Sequence, residues 1–308
     1  MGGYRNTFVR RLARTAAAAL LCGLFCAGAV ADGEVAGGDP LREAYDPDLQ
    51  YGLEATLERL ALDDDAAREK LCIALVDITD IRHPRVAEVN GDHMMYAASL
   101  PKIAILLGAF VEIERGRLSL SQANVESMTR MIRVSSNTDA TRMLNLVGKR
   151  RVNRILQSER FRLYDPIVNG GLWVGKEYAQ GAAFERDPLH HLSHGATAMQ
   201  TARFYYLLEA GELVNPRLTK LMKTMLSEPG IKHKFVKGLA GIPGLRIYRK
   251  SGTWQHWHAD SALVEGQGRK YILVGLADDA RGGEWLAALA PELHRLVNPT
   301  RLASARAR

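Results

Sequence analysis

The segment Ser99-Leu-Pro-Lys-Ile-Ala-Ile-Leu-Leu-Gly-Ala-Phe-Val111 places a serine and a lysine at the start of an apolar run. The run is long enough for a helix and apolar on nearly every side, which is typical of a buried helix. We therefore predict a helix from Ser99 to about Gly116 in the centre of the fold. Ser99 and Lys102 are three residues apart, so on a helix they lie on the same face.

The surroundings of this pair suggest a chemical role for it. Apolar residues flank Ser99 and Lys102 on both sides, and removal from water lowers the pKa of a lysine. A neutral lysine can accept the proton of a serine hydroxyl and so produce a nucleophile. The N–H groups and positive dipole of a first helical turn also favour negative charge developing on an oxygen. The alternative is a structural pair, with Ser99 as helix cap and the Lys102 ammonium group extended to solvent.

Two further short motifs follow the first. Ser135-Ser-Asn137 lies between two predicted helices, and Lys250-Ser-Gly-Thr253 lies at the end of a predicted strand. The patterns S-x-x-K, S-x-N and K-S/T-G each occur once, in this order. A single such match is expected by chance in a chain of 308 residues. Their conjunction at element boundaries, where side chains can face a cleft, indicates a catalytic site.

The second motif supplies candidates for proton transfer and substrate binding. Ser135 would pass the proton to the leaving nitrogen, and Asn137 would hydrogen-bond the substrate amide. The alternative is an ordinary cap for a helix that starts near Thr138.

The third motif supplies candidates for the opposite wall of the site. Lys250 would bind a substrate carboxylate and polarise the hydroxyl of the second motif. Ser251 completes the pattern, and Gly252 would let a substrate backbone approach the strand. The N–H groups of Thr253 and Ser99 would form an oxyanion hole. The alternative is a strand that ends in a plain turn.

The order of predicted elements favours one α+β unit. Its antiparallel sheet is built from both chain ends (about 45–98 and 235–298) and is flanked by the terminal helices, while an all-helical lobe (about 99–234) is inserted between them. Periodicity predicts further helices at 47–62, 121–133, 138–147, 150–158, 197–212, 216–227 and 284–296, and strands at 71–78, 85–90, 245–250, 261–265 and 271–277. A ligand cleft is expected between the two lobes.

These motifs resemble those of the penicillin-recognising serine hydrolases, the superfamily of class A β-lactamases and D,D-peptidases. The resemblance covers nearly all of residues 45–298 and implies a β-lactamase/transpeptidase-like fold. It also implies an acyl-enzyme on Ser99, formed from a β-lactam or a peptidoglycan-type peptide, with no cofactor. Ser136 and Ser251 stand where class A enzymes usually have Asp and Thr.

The chain departs from the class A pattern at the step that releases the acyl group. Class A enzymes use a glutamate in an E-x-x-L-N segment of an omega loop, and the stretch after Leu163-Tyr-Asp165 has no such segment. Its later carboxylates are Glu177, Glu185 and Asp187, which we interpret as solvated loop acids; the alternative is that one of them reaches the site. The sequence therefore identifies no base for deacylation.

Three functions follow from this pattern and its departures. The first is an exported hydrolase that is acylated by a β-lactam or related amide and hydrolyses it. The second is a D,D-peptidase or other peptidoglycan-directed hydrolase that β-lactams acylate without efficient turnover. The third is a non-catalytic binding protein on the same fold, against which the intact Ser99, Lys102, Ser135 and Lys250 argue.

Residues 1–31 have the pattern of a secretory signal peptide. Four arginines precede an uncharged, mostly Ala and Leu run that ends in Ala29-Val-Ala31, a small-x-small cleavage pattern; the alternative is an uncleaved anchor. These residues hold four of the basic residues and no acidic one, so cleavage lowers the net charge from +7 to +3 (7 − 4). The mature chain, residues 32–308, keeps no contiguous basic patch. We therefore expect an exported, periplasmic or secreted monomer without a membrane span and without nucleic acid as a partner.

Cysteine and histidine usage gives no sign of a disulfide framework or a metal site. Cleavage would remove Cys22 and Cys26, which leaves Cys72 alone in an apolar strand. The histidines lack zinc-motif spacing and are interpreted as loop residues; they are His190, His191, His194, His256 and His258. Trp254, Trp257 and His258 follow the third motif directly, and would line the substrate cleft or, equally, pack at its rim.

Overall fold

The computed structural model describes residues 41–299, so the predicted signal peptide (1–31) and the carboxyl-terminal arginines lie outside the described residues. The described part is a mixed α and β structure. Its helices are α1 (Pro47–Arg59), α2 (Asp63–Ala67), α3 (Lys102–Glu114), α4 (Gln122–Arg133), α5 (Asn137–Val147), α6 (Lys149–Leu156), α7 (Ala198–Ala210), α8 (Pro216–Leu226), α9 (Phe235–Leu239) and α10 (Gly282–Val297). Its strands are β1 (Leu71–Asp77), β2 (Arg85–Val89), β3 (Met95–Tyr96), β4 (Tyr164–Asp165), β5 (Gly170–Gly171), β6 (Trp173–Val174), β7 (His194–Ala196), β8 (Arg246–Trp254), β9 (Trp257–Gly266) and β10 (Arg269–Asp278).

The main sheet has five antiparallel strands in the order β2-β1-β10-β9-β8. Strand β1, from the first part of the chain, pairs with β10, from the last part, so that Leu71 lies opposite Ala277. The predicted antiparallel sheet built from both chain ends is thereby confirmed. Strand β8, which carries the third motif, lies at one edge of the sheet.

The two faces of this sheet cover two separate apolar cores. All seven residues of β1 are buried, and successive side chains of a strand point to opposite faces. Ala74 and Val76 belong to a core shared with the helices between β3 and β8. Ile73 and Leu75 belong to a second core, which α1 and α10 close. The terminal helices therefore flank one face, and the helical part covers the other.

Helix α3 is buried along almost its whole length, with 11 of its 13 residues inaccessible to solvent. The prediction of a central buried helix is confirmed, but its start at Ser99 is wrong. The α-helix begins at Lys102, and Pro101, with a φ of −63° fixed by its ring, is the residue just before it. Before it, the chain makes a tight turn in which the Lys102 N–H donates to the carbonyl oxygen of Ser99 at 3.3 Å.

Several short elements were not predicted from the sequence. They are the one-turn helices α2 and α9 and the strands β3 to β7, none longer than five residues. The segment 164–196, expected to hold no strand, contains β4 to β7. Strand β7 pairs with both β3 and β6, and this small sheet joins the segment to the backbone just before Ser99.

Cys72 lies in the middle of the fold and is fully buried on β1. Burial raises the pKa of its thiol far above the usual range, so the reactive thiolate form is strongly disfavoured. Cys72 is therefore a small apolar residue of the core.

Within residues 41–299 no helix is both long enough and apolar enough to cross a bilayer.

Candidate active site

Ser99 lies between β3 and α3, at the edge of a cleft. Ala98, just before it, has a φ of +50°, a left-handed conformation that is strained for a residue with a side chain. Ser99 is partly exposed, and among the described residues no group hydrogen-bonds its hydroxyl. The hydroxyl is therefore open to an incoming substrate.

Lys102 is completely buried at the first residue of α3. Its Nζ donates hydrogen bonds to the carbonyl oxygen of Ser135 at 2.6 Å and to Oδ1 of Asn137 at 2.7 Å, and lies 3.2 Å from Ser135 Oγ. The Tyr178 ring covers the amine, with its centroid 4.5 Å from Nζ. Burial lowers the pKa of Lys102 to about 7. Lys102 Nζ makes no hydrogen bond to the Ser99 hydroxyl among the described residues, because the amine is turned toward the second motif.

Ser135 occupies the turn between α4 and α5, with its hydroxyl between two lysines. Lys250 Nζ lies 3.0 Å from Ser135 Oγ and also donates to the carbonyl oxygen of Ser251 at 2.6 Å. Burial first, and then the charge of Lys102, lower the pKa of Lys250 well below its usual value. Because two ammonium groups so close together repel each other, the site favours one charged and one neutral amine.

A network in the helical part fixes the turn that presents this hydroxyl. Ser135 has a φ of +58°, and Ser136, not Asn137, caps α5 by accepting the Asp139 N–H at 3.2 Å. The Arg130 guanidinium donates to both carboxylate oxygens of Asp139 at 2.9 and 2.7 Å, and holds the pKa of that carboxyl far below its usual range. The cap and ion pair leave the side chains of Ser135 and Asn137 directed at Lys102.

Gly252 is the point where strand β8 touches the backbone around Ser99. A Cβ built on Gly252 would lie 2.1 Å from the carbonyl oxygen of Ala97 and 2.7 Å from the Ser99 nitrogen. The group that approaches Gly252 is therefore the protein's own backbone, rather than the substrate backbone expected from the sequence. This contact brings the N–H side of Ser99 against the strand that carries Thr253, and both residues line the same cleft.

Replacement of Gly252 by alanine is expected to destabilise the fold and slow acylation. The new methyl group meets backbone atoms that cannot rotate away, and overpacking of this kind costs about 1–3 kcal/mol. Thermal unfolding and the rate of adduct formation with a penicillin measure the two effects. Gly241→Ala is the matched control, since no atom lies within 4 Å of its Cβ position. Wild-type stability and rate in Gly252→Ala would show that the close approach has no role.

Lys234 is a third buried lysine, which the sequence motifs did not indicate. Its Nζ donates to the carbonyl oxygen of Gly252, to Thr253 Oγ1 at 2.9 Å and to the carbonyl oxygen of Ala259 at 3.0 Å. Burial lowers its pKa to about 8. Lys234 lies behind strand β8 and adds positive charge beside Thr253. Lys232 and Lys237 stand close to it in the sequence and are exposed, so the sequence alone does not distinguish Lys234 from them.

The three loop carboxylates do not contact Lys102. Glu177 borders the cleft, but its Oε1 lies 2.7 Å from Lys149 Nζ. Glu185 accepts a hydrogen bond from Asn153 at 3.3 Å. The interpretation of all three as solvated acids is wrong for Asp187, which is fully buried. Its carboxylate accepts hydrogen bonds from a buried tyrosine hydroxyl and three backbone N–H groups, and so organises the loop.

Some of the tryptophan and histidine residues singled out in the sequence line the cleft, and others pack elsewhere in the fold. Trp254 and Trp257 line the cleft, and Trp254 is 58% exposed. His258 instead packs against the glycines that begin α10. His194 is not a loop residue, because it lies buried on β7. Its Nε2 lies 3.1 Å from the carbonyl oxygen of Lys176, and burial lowers its pKa to about 4, so the ring is neutral.

The cleft has a volume of about 690 Å³. Ser99, Asn137 and Thr253 line it together with Tyr96 and Tyr178. A larger groove of about 1120 Å³ lies between α8 and β8, and contains none of the motif residues. The smaller cleft is therefore the candidate active site. Across residues 41–299 no three His, Cys, Asp or Glu side chains come close enough together to hold a metal ion.

The fold and this group of side chains define the class of protein: a β-lactamase/transpeptidase-like fold in which Ser99 and Asn137 line one cleft, and a buried lysine contacts both Asn137 and a second serine. The chain belongs to the Beta-lactamase enzyme family, whose model matches residues 52–127 and 123–296. A search of curated proteins found no match to the sequence.

Solved structures show the same fold at low sequence identity. A β-lactamase from Sphaerobacter thermophilus has a TM-score of 0.61 at 15% identity, over 80% of this chain and 95% of that one. A protein described as PBP-A has a TM-score of 0.62 at 16% identity, over 83% and 98% of the two chains. A mutant of PBP-A, with the same TM-score, identity and coverage, was solved as an acyl-enzyme complex with penicillin G.

Proposed function

We propose that the protein is an exported, monomeric serine hydrolase that is acylated on Ser99 by a β-lactam or a related amide. The observation that carries this proposal is the position of the Ser135 hydroxyl, 3.2 Å from Lys102 Nζ and 3.0 Å from Lys250 Nζ. In this arrangement Lys102 provides a base, Ser135 a proton carrier and Lys250 a cation for the partly exposed Ser99. Family membership and the penicillin complex of the PBP-A mutant support the same chemistry.

Acylation in this scheme uses Lys102 as the base. The Ser99 oxygen attacks the carbonyl carbon of the amide, and its proton passes to the neutral amine of Lys102. The C–N bond breaks, and Ser135 gives its proton to the leaving nitrogen while it receives one from Lys102. The N–H groups of Ser99 and Thr253 hold the oxyanion. Protons balance, because the one lost by Ser99 ends on the leaving group.

Lys250 binds the substrate in this scheme. A carboxylate beside Lys250 supplies the opposite charge that favours its protonated form, which burial alone disfavours. Lys234, behind Gly252 and Thr253, strengthens the positive field at the same end of the cleft.

Acylation is expected to become faster as the pH rises through about 7, the pKa that burial gives Lys102. Below that pH the amine is protonated and cannot accept the serine proton, so the rate falls about tenfold per pH unit. The second-order rate constant for adduct formation, measured from about pH 5 to pH 9, tests this. A flat profile, or a rate that falls across neutral pH, contradicts the role of Lys102 as base.

Deacylation separates the two candidate activities. Within residues 41–299 no carboxylate contacts Lys102, and the ring of Tyr178 covers the amine instead. Burial raises the pKa of the Tyr178 phenol well above 10, so it stays neutral and cannot act as a base. His194 is neutral, but its Nδ1 is shut off from solvent. These observations favour the second candidate, a peptidoglycan-directed D,D-peptidase that β-lactams acylate with slow release.

Intact-mass spectrometry over time, with benzylpenicillin added to the protein, tests the proposal. An adduct of the mass of the whole penicillin is expected. A transient adduct with accumulating product supports a β-lactamase, and a persistent adduct supports the peptidase. A protein that forms no adduct contradicts both.

Mass spectrometry of other samples tests export and oligomeric state. Protein recovered from the exported fraction is expected to begin at Asp32, after the predicted cleavage site. Native mass spectra are expected to show one chain. An intact amino terminus or a stable dimer contradicts the corresponding part of the proposal.

A further inference from the structure

We propose that the acyl part of the natural substrate carries a second anionic group, which Lys176 and Arg186 bind, next to a flat apolar group that stacks on Trp254. This inference rests on the proposed function and specifies the substrate of the same site. The substrate class is an acidic acyl donor, with one anionic group on each side of the scissile amide.

Lys176 and Arg186 form a cationic group on the cleft that is separate from Lys250. They line the cleft together with Ser99 and Thr253. Lys250 is not among the residues that line it, and its Nζ lies 3.0 Å from Ser135 Oγ. In the proposed scheme Lys250 binds the carboxylate on the leaving-group side, so we assign the anion that Lys176 and Arg186 bind to the acyl part.

The side chains of Lys176 and Arg186 are not ion-paired, since across residues 41–299 no carboxylate oxygen lies within 4 Å of either. One N–H of Arg186 donates to the carbonyl oxygen of His191 at 2.9 Å, which orients the side chain without neutralising it. The nearby acids are Glu177 and Glu185, which lie 2.7 Å from Lys149 and 3.7 Å from Arg150, and the buried Asp187. Four basic side chains against three acidic ones leave a net charge of +1 (4 − 3) in this part of the protein, which favours an anion.

Aromatic rings line the same cleft as these cationic side chains. Trp254 is 58% exposed, whereas Trp173 and Trp285 are buried. Trp257 stands next to it across the β8–β9 turn and packs edge-on against Tyr96, with ring centroids 6.2 Å apart. An exposed indole beside a nucleophile offers a flat apolar surface, which favours a planar or apolar group of a ligand. The cleft thus combines stacking and positive charge on the acyl side.

Two penicillins that differ by one carboxylate test the inference directly. Benzylpenicillin and carbenicillin share the phenyl group and the ring system, and carbenicillin has an additional carboxylate on the acyl side chain. We expect carbenicillin to acylate Ser99 roughly fivefold faster at low ionic strength, the size that partly exposed ion pairs provide. The advantage should shrink in high salt, because exposed charges are screened.

Paired charge variants locate the source of this preference. In the double variant Lys176→Ala/Arg186→Ala, the ratio of the two acylation rates is expected to fall to about one. The control Arg217→Ala/Lys220→Ala also removes one arginine and one lysine, from exposed positions near the other groove. It should keep the wild-type ratio of the two acylation rates. Trp254→Ala is expected to slow both penicillins by a similar factor, since both carry the phenyl group.

The outcomes separate the inference from the function on which it rests. Absence of an adduct with both penicillins overturns the proposed function and the inference together. Adducts that form with no preference for carbenicillin, or a preference that survives in Lys176→Ala/Arg186→Ala, overturn the inference alone. A preference lost equally in both double variants shows a general charge effect, and also overturns it.

Discussion

Replacement of Ser99 by alanine is expected to abolish the covalent adduct with penicillin completely. Ser99 supplies the oxygen that forms the ester, and Lys102 and Ser135 are engaged with each other and with Asn137 in the buried part of the site. Their hydroxyl and amine groups are thus poorly placed to take over as nucleophile. Intact-mass spectra after a long incubation measure the result with high sensitivity.

The folded state of this variant is expected to match the wild type. Among the described residues no group hydrogen-bonds the Ser99 hydroxyl, so its removal breaks no contact and changes the unfolding temperature little. Ser119→Ala, at an exposed position, is the matched control and should form the adduct normally. An adduct that persists in Ser99→Ala, mapped by peptide sequencing to another residue, would assign the nucleophile elsewhere.

The regular elements of the fold could be predicted from the sequence, because their signals are local. Strand β1 is a continuous apolar run and α3 a long apolar helix, and both were expected close to their observed bounds. A sheet built from both chain ends followed from the order of elements, whereas the pairing of β1 with β10 is seen only in the structure. The short strands β3 to β7 could not be predicted, since two or three residues carry no periodicity. Their pairing depends on partners distant in sequence.

The residues of the candidate site also fall into those with a local sequence signal and those placed by contacts distant in sequence. The motifs of Ser99, Lys102, Ser135 and Lys250 could be recognised because their spacing relative to helix and strand ends is a local signal; their roles stay predictions. Tyr178 and Lys234 were not expected near these residues, because Tyr178 belongs to a long loop and Lys234 lies behind strand β8. The buried state of Asp187 was also unexpected: acids in a polar stretch are usually solvated, and here four donors satisfy the carboxylate.

Replacement of Lys102 by methionine is expected to slow acylation by about 10³-fold, within the range that general base catalysis contributes. Methionine matches the length of the lysine stem but cannot accept a proton. The remaining slow reaction should lose the rise across neutral pH, because the titrating amine is gone. A purely structural lysine would leave that pH profile unchanged. Measuring the rate from about pH 5 to pH 9 distinguishes the two roles.

Stability provides the second half of this test. Lys102 is fully buried and burial lowers its pKa to about 7, so at neutral pH its ionisation disfavours folding, because the unfolded lysine holds its proton more tightly. Its loss removes hydrogen bonds to Ser135 and Asn137, but also removes the cost of dehydrating an amine. We therefore expect Lys102→Met to unfold within a few degrees of the wild type, while Lys220→Met, at an exposed position on the other groove, keeps both stability and acylation. A folded Lys102→Met protein that is acylated at the wild-type rate would remove the base from the mechanism and leave Ser135 and Lys250 to activate Ser99.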